Sequence, residues 1–154
     1  MRNTLAKLFF GAAITAIVAF GADQSLGTWK LNMEKSKFDP PPGPVKSLTS
    51  TREAAGDAVK VTTTGEQADG QAINSSYTAK YDGTDSPVTG APWDMIALKR
   101  ADPSAITTVT KKDGKVYGRG RVTISKNGKT MTSVTKGTDA SGKAFTNTMV
   151  FEKQ

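Results

Sequence analysis

From residue 27 onward apolar and polar residues alternate in short runs, and turn-forming dipeptides interrupt the alternation. Asp69-Gly70, Asp82-Gly83, Asp113-Gly114, Asn127-Gly128 and Ser141-Gly142 each separate runs rich in Val, Ile, Thr, Tyr and Phe, and the last three begin 14 residues apart. A period of two places successive side chains on opposite faces of a pleated strand, and Asn-Gly or Asp-Gly tolerates the positive φ angles of tight hairpins. The pattern predicts nine antiparallel strands in a meander, near residues 27–32, 45–53, 58–64, 71–81, 93–99, 104–111, 115–125, 129–136 and 143–152. Open strand edges template aggregation, so such a meander is expected to close on itself.

Parity assigns the faces. Along 71–81, Ile73, Ser75, Tyr77, Ala79 and Tyr81 share the face predicted to point inward, with Ala72, Asn74, Ser76, Thr78 and Lys80 outward. Along 115–125, Val116, Gly118, Gly120, Val122 and Ile124 are expected inside, and Tyr117, Arg119, Arg121 and Thr123 outside. On the last strand Phe145, Asn147, Met149 and Phe151 share a face. Inward positions held by Ser, Thr, Asn and Gly supply little bulk, so these walls are compatible with an internal cavity.

The first 21 residues follow another rule. Arg2 and Lys7 precede an apolar stretch over residues 8–20 broken only by Thr15, and small residues stand at Ala19 and Gly21. A basic n-region, a short h-region and a small-residue cleavage site predict a signal peptide helix over residues 1–21, cleaved near Gly21, ahead of a single domain over 22–154. Thirteen residues fall short of the roughly 20 needed to span a bilayer, so no stable membrane insertion is expected after cleavage. The expected location is therefore outside the cytoplasm, periplasmic or secreted.

Composition then narrows the chemistry. Loss of Arg2 and Lys7 takes the formal net charge from +7 to +5, and the remaining basic residues are scattered, so nucleic acid is not an expected partner. The chain contains no Cys and no His, which excludes disulfides, thiolate nucleophiles, imidazole proton shuttles and zinc sites of the usual kind. Its acids cluster at turns such as Asp69, Asp82, Asp113 and Asp139, where solvent gives no reason for paired-carboxylate catalysis. No enzyme activity, cofactor or metal is expected. Asp82-Gly83-Thr84-Asp85 reads as a turn rather than a calcium loop.

Leu26-Gly27-Thr28-Trp29-Lys30-Leu31, followed by a meander ending in Thr146-Asn147-Thr148-Met149-Val150-Phe151-Glu152-Lys153, resembles the calycin group of lipocalins and fatty-acid-binding proteins. Ser36-Lys37-Phe38, Tyr81-Asp82-Gly83, Pro87-Val88-Thr89-Gly90, Lys112-Asp113-Gly114-Lys115 and Ser125-Lys126-Asn127-Gly128-Lys129-Thr130-Met131-Thr132 extend the likeness to small exported bacterial proteins described as lipocalin-like. The resemblance implies an all-β, antiparallel up-and-down barrel whose first-strand Trp29 closes the base, with Lys153 over its ring as a cation–π partner. Two departures stand out. The span 33–44 is short and carries Pro40-Pro41-Pro42-Gly43-Pro44, which leaves no room for the helix-pair lid of fatty-acid-binding proteins. Where those proteins place an Arg and a Tyr on the last strand to grip a carboxylate, this chain has Met149 and Phe151.

The resulting expectation is a non-catalytic barrel that takes a small hydrophobic ligand near Tyr77, Tyr81, Val109, Val122, Met149 and Phe151. The alternative is a solid-cored envelope protein that acts through its surface. Arg119 and Arg121 are expected outside, Trp93 is read first as a core plug, and the proline-rich stretch as a rigid loop across one barrel end.

Overall fold

In the computed structural model the described residues are 23–154, and the predicted signal segment lies outside them. Ten strands follow one another in chain order: β1 (Gly27–Asp39), β2 (Val45–Ala55), β3 (Ala58–Gln67), β4 (Ala72–Lys80), β5 (Asp82–Thr89), β6 (Met95–Asp102), β7 (Ala105–Lys112), β8 (Lys115–Ile124), β9 (Thr130–Thr138) and β10 (Ala144–Lys153). Each pairs antiparallel with its neighbours in sequence, and β1 pairs with β10, so the sheet is a closed barrel. Among the described residues there is no helix.

Nine strands were expected and ten form. The one absent from the sequence reading is β5, whose Asp82, Gly83, Pro87 and following Gly90 mimic a loop. Its pairing to β4 is confined to Ser76–Thr89 and Tyr77–Val88, as expected of a Pro-bearing strand that cannot donate a full ladder. β1 is also longer than the pattern suggested. It continues past an irregularity between Asn32 and Lys37, where the Ser36 hydroxyl donates to the Asn32 carbonyl (2.6 Å) and accepts from the Val150 amide (3.0 Å). That one hydroxyl occupies the ladder position the irregularity vacates.

Tight turns close the hairpins as their dipeptides require. Asp113 and Gly114 both have positive φ (50° and 77°), the requirement of a type I′ turn joining β7 to β8. At other turns a carboxylate takes over: Asp139 Oδ1 accepts from the Ser141 amide and hydroxyl and from the Lys143 amide.

The interior holds two apolar clusters. One gathers Val59, Val61, Ala79, Val88, Ile96, Leu98 and Ile106 from β3 to β7; the other gathers Trp29, Leu31, Leu48, Ile124, Met131 and Phe151 from β1, β2 and β8 to β10. Val122 packs against both and joins them. One end, the base, is formed by the β2–β3, β4–β5, β6–β7 and β8–β9 connections together with residues 23–26. The other end carries the proline-rich β1–β2 loop, where the Phe38 ring lies against Gly43.

Candidate functional site

The base is plugged by the segment that precedes β1. Asp23 Oδ1 accepts from the Ser25 amide (3.0 Å) and hydroxyl (2.7 Å), while Oδ2 accepts from the Tyr81 hydroxyl (2.7 Å) and pairs with Arg100 Nη2 (3.1 Å). The Arg100 guanidinium stacks over Tyr81, 4.2 Å from the ring centre, and Trp29 Nε1 donates to the Ser25 carbonyl (2.9 Å). Burial pushes the Asp23 carboxyl up, but the Tyr81 and Ser25 hydrogen bonds and the Arg100 charge outweigh it and hold the group below its ordinary value of 3.8. Burial, reinforced by the bond to Asp23, raises the Tyr81 phenol above its ordinary value.

Trp29 is fully buried at this base, as the Gly-x-Trp resemblance implied. Lys153, its register partner on β10, holds its ammonium 5.3 Å from the indole centre. That distance is within cation–π range.

Above the plug the inner wall changes character. Tyr77, Tyr81, Val122, Met149 and Phe151 all face inward, the first three against the β3–β7 cluster and Val122, Met149 and Phe151 with the Trp29 cluster. Val109 does not join them. It pairs with Ala97 and Arg119 and lies at odd spacing from the buried Ile106, so period-two alternation puts it on the outer face.

On strand β8 a bulge reverses the expected faces of Val116 and Tyr117. Thr110 pairs with Gly118 but Lys111 pairs with Val116, so Tyr117 is an extra residue that reverses parity at this end. Val116 therefore stands 45% exposed, and Tyr117 turns into an aromatic row with Trp93 (centroids 5.5 Å apart) and Phe145 (5.7 Å). Trp93 is half-buried in that row and also packs on the β3–β7 cluster. Arg119 and Arg121 are exposed as expected, with Arg121 paired to Asp102 at 3.3 Å.

Between the base and the end that carries the β1–β2 loop, some inward positions are small. Gly120 of β8 lies under Thr108 and Thr135, whose hydroxyls would stand 2.7 and 2.8 Å from an added Cβ. Across the barrel, Thr63, Ser75 and Ile73 remain partly exposed, as do Tyr77, Ser133 and Met149. Outside it, a shallow cleft of about 290 Å³ lies at the base between Gln24, Pro103, Ser104, Ile124 and Lys126, with no constellation of opposed charges. Among the described residues no cluster of acids could hold a metal ion.

One interior group escaped the sequence reading. Arg52 on β2 is only 6% exposed and lies in a cross-strand row with Val61 and Tyr77. Its Nε is buried without a hydrogen-bond partner. Burial works against its charge, but Tyr77, Tyr81 and Asp23 nearby more than compensate and raise its pKa above the ordinary arginine value. The signal was available in parity: Leu48, Ser50 and Arg52 share one face of β2, and Leu48 has to be inside.

No protein-family model matches the chain, and no curated protein matches it in sequence. Solved structures do match its shape. Zebrafish ileal bile acid-binding protein, solved with cholic acid, superposes with a TM-score of 0.51 at 12% identity, covering 85% of this chain and 99% of the other. The fold is that of the calycin barrels. Other similar structures are EF1p2_mFAP2b bound to DFHBI (TM-score 0.49, 12% identity, 86% and 96% covered) and the redesigned β-barrel mFAP1 bound to DFHBI (0.42, 13%, 82% and 94%). Strand and a proline-rich turn occupy residues 33–44, with no helix between β1 and β2. Met149 and Phe151 both point inward on β10, so at those two positions the strand presents apolar side chains to the interior.

Proposed function

We propose that the protein is an exported, non-catalytic carrier that holds a small, largely apolar molecule inside the barrel. The observation that carries this reading is the inner wall above the base, where Tyr77, Met149, Val122 and Ile73 stay partly exposed although they face inward. A wall built to fill itself would bury such side chains against one another, since packed interiors leave few voids larger than a water molecule. The similar bile acid-binding protein was solved with cholic acid, which supports a small-molecule reading here. Export rests on the charged and apolar segments over residues 1–21, and a non-catalytic role on the lack of His and Cys and on acids engaged in turns.

A neutral, polarity-sensitive dye such as Nile red tests the reading. Saturable fluorescence enhancement is expected, and Met149→Arg, which sets a charge into the wall, is expected to abolish it while the circular-dichroism spectrum is unchanged. Folded wild-type protein that takes up no dye would overturn the carrier reading in favour of a solid barrel working through its surface.

A further inference from the structure

We propose that the outer wall formed by the β8–β9 hairpin docks the protein on an anionic lipid bilayer. This surface lies outside the barrel, so it stands or falls apart from the carrier reading. Residues 115–138 carry six basic side chains, Lys115, Arg119, Arg121, Lys126, Lys129 and Lys136, and no acid. The formal charge of residues 22–154 is +5, so the rest of the domain sums to −1 and this one hairpin holds the whole excess. Basic residues that look scattered along the chain are gathered by the pairing of β8 with β9.

Register sets the charges on one surface. Arg119 and Lys136 are direct cross-strand partners, both exposed, and among the described residues neither has a carboxylate within 4.0 Å. Like charges facing each other across a ladder are destabilising, so the fold gains nothing from this pair. Arg121 stands next on the same face, bridged to the exposed Asp102 at the margin. Lys115 marks one end of the hairpin, and Lys126 and Lys129 mark the turn at the other. The flanking strands do not neutralise the stripe. The outward residues they set beside it are Thr107 and Val109 on β7 and Thr146, Thr148 and Val150 on β10. The opposite wall is arranged otherwise: Glu53 faces Lys60 across β2 and β3, and Lys46–Glu66 and Lys80–Asp57 are bridged.

The side chains between the cations choose the partner. They are Thr123, Thr132, Val116 and Val134. The bulge turns Tyr117 toward Trp93 and Phe145, so the stripe has no aromatic ring on which bases could stack. A convex barrel wall meets a flat sheet of charge along a band a few strands wide, and the ten residues of β8 extend that band for roughly 30 Å. Flexible basic side chains are drawn to the negative potential of an anionic leaflet without any fixed geometry. Val116 and Val134, 45% and 37% exposed, are too small to anchor the protein, so the contact is adsorption by charge and not insertion.

Flotation of residues 22–154, which contain all ten strands and the base contacts, with phosphatidylglycerol–phosphatidylcholine vesicles at low ionic strength tests the proposal; vesicles of phosphatidylcholine alone are the neutral comparison. Binding is expected to the anionic vesicles only, and to fade as added salt screens the charges. Each basic residue removed is expected to weaken it about 5-fold, so Arg119→Gln with Lys136→Gln should cost about 25-fold. Lys60→Gln with Lys80→Gln removes the same charge from the opposite wall and is expected to cost less than about 3-fold. Equal losses in the two double variants would assign the binding to net charge and overturn the proposal, as would equal flotation with both kinds of vesicle. Wild type that ignores anionic vesicles but retards duplex DNA would overturn it in favour of nucleic acid. All four side chains are exposed, so unchanged circular-dichroism spectra are expected, and the wild-type comparison of lipids and salt decides the matter even if a variant misfolds.

Discussion

Arg52→Met is expected to stabilise the protein, because the guanidinium it removes is buried with no carboxylate of the described residues within 4.0 Å and with Nε unsatisfied. Replacing buried ionic groups by apolar residues of similar volume is commonly neutral or stabilising by about 1–4 kcal/mol, whereas deleting a member of a working ion pair costs about 3–5 kcal/mol. Methionine keeps the length of the arginine stem and its contacts with Val61 across the ladder, and it removes the orphaned Nε. What is lost is the contact with the Tyr81 hydroxyl and the support the guanidinium gives Asp23, whose oxygens keep their bonds to Ser25, Tyr81 and Arg100. The balance is a gain of about 1–2 kcal/mol, or roughly 3–8 °C in Tm for a domain of this size. Urea unfolding of ligand-free protein measures it, with Arg100→Met as the contrasting variant. That change breaks the 3.1 Å pair to Asp23 and the stacking on Tyr81, so it is expected to destabilise. If Arg52→Met instead destabilised by more than about 2 kcal/mol, Arg52 would belong to the base plug and the reading of its guanidinium as an under-compensated buried charge would be refuted.

Other outcomes follow from neighbouring features. Asp23→Asn is expected to be less stable than wild type at neutral pH. Since Asp23 has a folded pKa below its unfolded value of 3.8, its contribution is complete above that value and lost as pH falls through the folded pKa; the gap between the two proteins should therefore close in acid, as thermal melts from pH 7 downward will show, and a gap that widened in acid would contradict the assignment. Gly120→Ala forces a methyl against the Thr108 and Thr135 hydroxyls and is expected to cost about 1–3 kcal/mol. Much of that cost should vanish in a Thr108→Ala, Thr135→Ala background; equal costs in both backgrounds would locate the strain elsewhere.

The fold was legible where the chain states it locally. Asp113-Gly114 takes the two positive φ angles that its composition suggests, and Ile73, Tyr77 and Tyr81 fall on the inner face by simple parity. Errors arose where parity is broken or masked. The bulge at Tyr117 shifts one residue, which exchanges the faces of Val116 and Tyr117 and cannot be foreseen from either strand alone. Val109 sits between the inward Thr108 and Thr110 on the outer face of β7, so at this end of the strand hydrophobicity pointed the wrong way. β5 is written in residues that ordinarily make loops, and only its neighbours hold it extended. Arg52 was hidden for a related reason: a charged side chain reads as solvent-facing, and its inward orientation is set by its register with Val61 and Gly27.

The pairing of β1 with β10 also governs when the molecule can exist. Trp29 meets Lys153, Leu31 meets Phe151, and the Gln154 amide donates to the Thr28 carbonyl, so the first strand waits for the last one made. During vectorial synthesis the earlier hairpins can form and dissolve, but the ring stays unsealed until β10 has emerged. Contacts that distant in sequence are slow to establish because the intervening loop must first be closed at an entropic cost. A nascent chain of this design therefore keeps one edge of β1 unpaired until β10 is available to cover it.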